Sequence, residues 1–160
     1  NKYENGCQLL WNEKYGAFSC LNIKTNILQK GISCASMLYA YADIGTSKQH
    51  NKMIQHSRRI LFYTNYGVSF PSWDPCDSNF DNKRYWRGPV WCIINFLLLI
   101  GFKDQNEIEL SNKIKKNTIN LIEKYGFFEY YDPYSGKGYG GDNFSWTAAV
   151  YLVLKNELLV

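Results

Sequence analysis

Apolar residues recur along the chain every three or four positions, which is the spacing of one helix face. The pattern predicts six helices, over residues 3–11, 33–43, 47–62, 89–100, 104–125 and 145–156. The third is expected to begin at a cap on Thr46 or Ser47, and the sixth is apolar almost all round, which predicts burial on most sides. The expected buried stripes are Met53, Ile54, Ile60 and Leu61 in the third helix, and Ile108, Ile114, Leu121, Ile122 and Tyr125 in the fifth.

Residues that favour helix ends predict the other boundaries. Pro89 suits the first turn of the fourth helix, and Gly101 is expected to end it. Asp104 and Glu107 have the spacing of a capping box and are expected to open the fifth helix. Gly126 is expected to end that helix. The chain is therefore predicted to be all-α.

The connections between these helices differ greatly in length. Two are turns of about three residues, whereas residues 12–32, 63–88 and 126–144 form long connections. Because helices in an up-and-down stack alternate in direction, every second connection lies at the same end. We therefore expect αα-hairpins with all three long connections at one rim, and we expect the chemistry at that rim.

The composition is that of a globular domain and excludes several classes. Of 160 residues, 46% are hydrophobic and 20% charged, which excludes disorder and a coiled coil. The net charge of +4 is scattered, so no nucleic-acid partner is expected. The longest apolar stretch, residues 90–100, is too short to cross a membrane. The five cysteines include no C-x-x-C pair, which argues against a zinc site or a disulfide framework and favours a reducing, cytoplasmic location.

Glu129 is the strongest candidate for catalytic chemistry. Its neighbours in the third long connection are aromatic: Phe127, Phe128, Tyr130 and Tyr131. A carboxyl group in aromatic surroundings is suited to general acid or base catalysis. The alternative is that Glu129 points to water or pairs with an arginine such as Arg87.

Other polar residues of the chain have simpler interpretations. Asp132 precedes a proline and is expected to be a turn residue. Asp142 lies just before the last helix, where it either caps the helix or contacts a ligand. His50 and His56 are six residues apart, which does not suit a metal pair, and both are expected to face solvent. Four glycines are expected to let the backbone turn tightly beside a ligand: Gly136, Gly138, Gly140 and Gly141.

Residues 84–91 contain three aromatic residues, Tyr85, Trp86 and Trp91, and two arginines, Arg84 and Arg87. One interpretation places these rings in the core, with the indole N–H groups satisfied inside the protein. The other makes them flat walls for a ring-shaped polar ligand such as a sugar. The polar edges of the run favour the second interpretation.

Two motifs carry a family resemblance. Residues 85–91 read Tyr-Trp-Arg-Gly-Pro-Val-Trp and precede an apolar helix. Residues 128–133 read Phe-Glu-Tyr-Tyr-Asp-Pro, and residues 140–149 read Gly-Gly-Asp-Asn-Phe-Ser-Trp-Thr-Ala-Ala. In order and spacing these segments resemble glycoside hydrolase family 63 and the related mannosylglycerate and glucosylglycerate hydrolases. Trehalases share a related version of the second motif.

The resemblance implies an (α/α)6 barrel of twelve helices and an inverting α-glycosidase. The six predicted helices would be its second half, so residues 1–160 would form the C-terminal part of a single catalytic domain whose N-terminal half is absent from this chain. The resemblance assigns Glu129 as the general base that activates water and places the general acid, an Asp, in the absent half. It implies no metal and no cofactor.

The same resemblance implies a small carbohydrate substrate, an α-linked glucosyl or mannosyl compound. Tyr85, Trp86 and Trp91 would form aromatic walls around the glycosyl ring. Asp142 and Asn143 would offer hydrogen bonds at the rim. Arg87 would bind an acidic aglycone such as glycerate, or it would clamp its loop to a carboxylate. These residues are the expected substrate-binding set.

Half a barrel would expose the apolar flanks of its helices. We therefore expect the 160 residues alone to be inactive and to need the missing N-terminal half or a second chain. The alternative function is a non-catalytic carbohydrate-binding or scaffold half barrel. An αα-barrel isomerase or a terpene-cyclase-like protein is a weaker alternative, because the sequence lacks the His pairs and Asp-rich runs expected for those proteins.

Overall fold

The computed structural model describes residues 2–64 and 69–156. Within these ranges the chain forms seven helices: α1 (Lys2–Gln8), α2 (Cys34–Met37), α3 (Tyr39–Ala42), α4 (Ser47–Tyr63), α5 (Cys92–Asp104), α6 (Ile108–Tyr125) and α7 (Ser145–Lys155). Three small antiparallel hairpins lie in the connections: β1 (Trp11–Asn12) with β2 (Ala17–Phe18), β3 (Leu21–Asn22) with β4 (Ile27–Leu28), and β5 (Tyr130–Tyr131) with β6 (Gly138–Tyr139). In the described part of the chain, no helix is both long and apolar enough to cross a bilayer.

Helix α5 is at the centre of the helical packing. Helices α3, α6 and α7 each pack against it, and α6 also contacts α7. Leu98, Leu99 and Phe102 of α5 are buried, together with Ile114 and Leu121 of α6. Short turns join α3 to α4 and α5 to α6, which gives the predicted αα-hairpins.

The long connections meet at one end of these hairpins, as predicted. Isolated β-bridges join Ser33 to Trp73, Pro71 to Val90 and Val90 to Tyr131. Each of the three long connections, or the residue that follows it, takes part in this chain of bridges. Residues 65–68 of the second connection lie outside the described residues. Backbone pairing therefore ties the segments that precede α2, α5 and α7 into one rim.

Several predicted boundaries are confirmed and others are wrong. Thr46 caps α4 through the N–H of Gln49, and Gly126 ends α6 with a φ of 90°. The first helix is shorter than predicted because β1 begins at Trp11, and the second is interrupted at Leu38, which separates α2 from α3.

Both ends of α5 differ from the prediction. Helix α5 begins at Cys92, not at Pro89, because the Pro89 carbonyl accepts from Ser72 N–H at 2.9 Å and the next residue pairs with Tyr131. It runs past Gly101 to Asp104.

The capping box predicted at the start of α6 is also wrong, because the Glu107 carboxylate accepts from Arg58 at 2.8 Å instead of capping the helix.

Three burial predictions are wrong. Ile108 is the first residue of α6 and is exposed, and α7 leaves Trp146 and Leu152 exposed on one face. His50 and His56 do not face solvent: both are half-buried, and their Nε2 atoms donate to the carbonyls of Ile44 and Tyr15, each at 2.9 Å. Burial lowers the pKa of His56. The five cysteines are free, and two of them, Cys34 and Cys92, are buried.

We expect Gly101→Ala to destabilise the protein, because α3 and α5 touch at this glycine. A Cβ atom at Gly101 would lie 2.7 Å from Tyr41 Cα and would also contact the backbone of Ala40. Forcing packed backbones apart costs about 2 kcal/mol of unfolding free energy. Gly6 in α1 has open space around it, so Gly6→Ala is the matched control and should be neutral or slightly stabilising. Urea unfolding compares the two, and equal stabilities would contradict the close contact.

Candidate active site

The second and third long connections are joined just before helix α5. Val90 N–H donates to the Tyr131 carbonyl over 2.8 Å, and Tyr131 N–H donates to the Val90 carbonyl over 3.0 Å. Next to this pair, buried Asp132 accepts from the Asn82 side-chain amide at 2.5 Å and from two backbone N–H groups of its own turn. The turn role predicted for Asp132 is confirmed. Asn82 is a partner that no sequence pattern indicates, because the two residues are far apart along the chain.

Glu129 is half-buried, and its two carboxylate oxygens have different partners. The Tyr85 hydroxyl donates to Glu129 Oε1 over 2.6 Å, and Gly141 N–H lies 3.5 Å from Oε2. The Glu129 backbone N–H donates to the Gly141 carbonyl over 3.0 Å. The hydrogen bond to Glu129 raises the pKa of Tyr85, so this phenol remains a donor at neutral pH. A carboxylate with one oxygen bonded and the other nearly free is suited to accepting a proton.

The glycines of the third connection are needed for this close approach. Gly136 and Gly140 have φ values of 75° and 73°, which side-chain-bearing residues rarely adopt. A Cβ atom at Gly140 would lie 2.8 Å from Glu129 Cβ and would also contact Glu129 Oε2. The predicted tight turn is therefore confirmed at Gly136 and Gly140, and Gly140 leaves room for the Glu129 carboxylate. The position of this turn beside a ligand stays a prediction.

Four aromatic rings pack together beside Glu129. The Trp91 ring stacks on Trp86, with centroids 4.2 Å apart and planes 5° apart, and on Tyr130 at 5.3 Å and 25°. Tyr85 meets Trp91 edge-on at 4.9 Å, and its carbonyl accepts from Trp91 Nε1 at 2.9 Å. Trp91 is only 3% exposed, whereas Tyr85 and Trp86 are 46% and 42% exposed. Trp91 is thus covered by the stack, and the other two rings are partly exposed at the surface.

The polar members of the predicted binding set lie at the edge of this cluster. Arg87 is half-buried, and its Nε atom has no hydrogen-bond partner among the described residues. No carboxylate in residues 2–64 or 69–156 forms an ion pair with Arg87, so neither the loop clamp nor a pairing with Glu129 is present. Asp142 and Asn143 are exposed, and Asp142 does not cap α7, which begins after Phe144 without a side-chain cap.

Glu129 is half-buried, and Tyr85 and Trp86 beside it are exposed. A cleft of about 400 Å³ lies elsewhere, between the β1–β2 hairpin and α4, and Glu129 is not part of its lining. A smaller apolar cleft of about 180 Å³ separates the end of α1 from α2 and α3. Across the described residues, no cluster of three or more His, Cys, Asp and Glu side chains is placed to hold a metal ion.

Comparison with known proteins gives one consistent result. The sequence pattern of the mannosylglycerate hydrolase MGH1-like glycoside hydrolase domain matches residues 1–147. The chain is 34% identical to mannosylglycerate hydrolase MGH1 of Selaginella moellendorffii over 143 residues. The aligned region covers 89% of this chain and 29% of that protein. The chain thus spans about a third or less of the length of the curated relative.

Solved structures show the same fold. The family 63 mannosylglycerate hydrolase of Thermus thermophilus, crystallised with Tris and D-glycerate, superposes with a TM-score of 0.89 at 31% identity, over 95% of this chain and 36% of that one. Neutral trehalase Nth1 of Saccharomyces cerevisiae superposes with a TM-score of 0.72 at 16% identity, over 96% and 28% of the two chains, which shows likeness of fold alone. The predicted αα-hairpins of an (α/α)6 barrel are confirmed, and the chain covers part of such a barrel.

Proposed function

Because this chain belongs to the mannosylglycerate hydrolase MGH1-like glycoside hydrolase family, we propose that the complete protein hydrolyses an α-glycosidic bond with inversion and uses Glu129 as the general base. The observation that carries this proposal is the setting of Glu129. Its Oε1 is held by Tyr85 at 2.6 Å, its Oε2 is nearly free, and stacked aromatic rings lie beside it. The proposed substrate is a small α-linked mannosyl or glucosyl compound.

In the proposed reaction, Glu129 takes a proton from a water molecule as the water oxygen attacks the anomeric carbon. The bond between that carbon and the glycosidic oxygen breaks, and a carboxylic acid on the other side protonates the leaving oxygen. Inversion needs the two carboxyl groups about 6.5–9.5 Å apart, so that the water fits between them. We propose that this acid is an Asp in a segment that precedes Asn1 in the complete protein.

The exposed rings of Tyr85 and Trp86 are the proposed contacts for the glycosyl ring, whose C–H faces stack on aromatic surfaces. The Trp91 ring packs against both of them, edge-on with Tyr85 and stacked on Trp86. Asp142 and Asn143 directly follow Gly141, which contacts Glu129, so they are the proposed hydrogen-bond partners of sugar hydroxyls at the rim. No cofactor is proposed.

We also propose that the barrel is completed by an N-terminal segment or by a second chain, and that residues 1–160 are the C-terminal part of a single catalytic domain. Large apolar side chains are exposed on helices that flank α5, namely Tyr41 on α3 and Trp146 and Leu152 on α7. Exposed apolar surface of this kind favours an interface. The isolated 160 residues are then expected to be inactive. A cytoplasmic location stays a prediction; free thiols are typical of a reducing compartment.

The test of the proposed function is a hydrolysis assay of the complete protein with α-mannosylglycerate and α-glucosylglycerate. Proton NMR during the first minutes should show the β-anomer of the released sugar, because inversion changes the configuration at the anomeric carbon. Release of the α-anomer would contradict inversion. Sugar binding without hydrolysis would favour the alternative, a non-catalytic carbohydrate-binding or scaffold half barrel.

Arg87→Gln is expected to raise KM for a glycoside with a glycerate aglycone by about tenfold, because the Arg87 guanidinium has no carboxylate partner among the described residues and a charged hydrogen bond contributes about 1.5 kcal/mol. For a neutral glycoside, such as a methyl α-glycoside, KM should change less than twofold. Steady-state kinetics with the two substrates measures the difference. Equal effects on KM for the two substrates would show that Arg87 does not recognise the charge of the aglycone.

A further inference from the structure

We infer that Tyr85 is a positioning residue, whose hydroxyl holds the Glu129 carboxylate in the orientation required for proton transfer. The inference rests on the proposed function of Glu129 as general base. It goes beyond an aromatic wall, because a wall needs only the ring, whereas positioning needs the hydroxyl. The two roles make different kinetic predictions.

Tyr85 is fixed along its whole length. Its carbonyl accepts from Trp91 Nε1 at 2.9 Å, and its ring packs edge-on against Trp91 at 4.9 Å and Tyr130 at 5.2 Å. The far end of the side chain is the hydroxyl, which donates to Glu129 Oε1 at 2.6 Å. A phenol held by its backbone and by its ring can place a hydrogen bond within a narrow range of positions.

The hydrogen bond assigns different roles to the two carboxylate oxygens. Oε1 accepts from the Tyr85 hydroxyl at 2.6 Å, whereas the partner of Oε2 among the described residues is the Gly141 N–H at 3.5 Å. Oε2 is therefore the oxygen available to a water molecule. A side chain at position 140 would contact Oε2, and glycine avoids that contact. Loss of the Tyr85 hydroxyl would let the Glu129 carboxylate rotate freely. Rotation moves Oε2 away from the attacking water, and misplacement of a catalytic group lowers the rate.

The experiment is a double-mutant cycle in the complete enzyme, with Tyr85→Phe, Glu129→Gln and the double variant. Tyr85→Phe keeps the ring packing and should lower kcat about 10- to 100-fold while KM changes less than threefold. In the Glu129→Gln background, Tyr85→Phe should change the residual rate less than threefold, because a residue that acts through Glu129 has nothing left to position. Tyr134→Phe is the matched control, since Tyr134 is an exposed tyrosine that packs on Phe80, and it should leave kcat unchanged.

The outcomes separate the inference from the function on which it rests. If Glu129→Gln is nearly inactive but Tyr85→Phe lowers the rate by the same factor in both backgrounds, Tyr85 acts on the substrate directly, and the inference is overturned while the general base stands. A wild-type kcat for Tyr85→Phe would overturn it in the same way. A wild-type rate for Glu129→Gln would remove the general base itself, and the inference with it.

Discussion

Glu129→Gln in the complete enzyme is expected to lower kcat about a thousandfold, because glutamine keeps the shape of the side chain and cannot accept the proton of the attacking water. The amide still accepts the hydrogen bond from Tyr85, so the geometry of the rim should be retained. KM should change little, because the loss concerns an interaction made in the transition state. Steady-state kinetics on the preferred α-glycoside gives both constants.

Glu123→Gln is the control for this variant. Glu123 is a glutamate on α6 whose Oε1 accepts from Lys155 at 2.7 Å and from Tyr151 at 3.0 Å, and it takes no part in the proposed site. Its substitution should leave kcat within twofold of the wild-type value, since exposed ion pairs contribute little to stability. A Glu129→Gln enzyme as active as the Glu123→Gln enzyme would exclude Glu129 as the general base.

Asn95→Ala is expected to lower the free energy of unfolding by about 4 kcal/mol. Asn95 is fully buried in α5, where its side-chain oxygen accepts from the Phe70 N–H at 2.7 Å and from the Ser69 hydroxyl at 2.6 Å. Its amide donates to the carbonyls of Phe70 and Trp91 at 2.9 and 3.0 Å. Alanine would leave both backbone groups of Phe70 without a partner inside the protein, and each such group costs about 1–3 kcal/mol.

Asn120→Ala is the matched substitution for comparison. Asn120 lies on the exposed face of α6, so its replacement should change stability by less than about 0.5 kcal/mol. Urea unfolding followed by circular dichroism measures both variants. Equal effects would show that the Asn95 hydrogen bonds contribute no net stability. The Asn95 contacts also join the second connection to the residue before α5, so loss of activity is expected to accompany loss of stability in Asn95→Ala.

The local sequence pattern was sufficient to predict a helix feature wherever that feature depends on nearby residues alone. The apolar stripes of α4 and α6, apart from Ile108, and the ends at Thr46 and Gly126 follow from short-range spacing and from residue preferences that tertiary contacts do not change. Boundaries were missed where a distant partner competes with the helix. The Pro89 carbonyl bonds to Ser72 instead of opening α5, and Glu107 binds Arg58 instead of capping α6. Both partners are distant along the chain, so no local pattern contains them.

The candidate site shows the same division between features that local sequence predicts and features that depend on distant contacts. The sequence by itself determined the helical class, the common rim of the long connections, the two motifs and Glu129 as the residue to test, because residue type and spacing carry that information. Only the tertiary structure decided that Trp91 is covered while Tyr85 and Trp86 are exposed, that Arg87 has no carboxylate partner among the described residues, and that the Tyr85 hydroxyl reaches Glu129. These facts depend on contacts between residues up to 44 positions apart. Such contacts form when the rim segments pair through Val90 and Tyr131, and that pairing exists only in the folded chain.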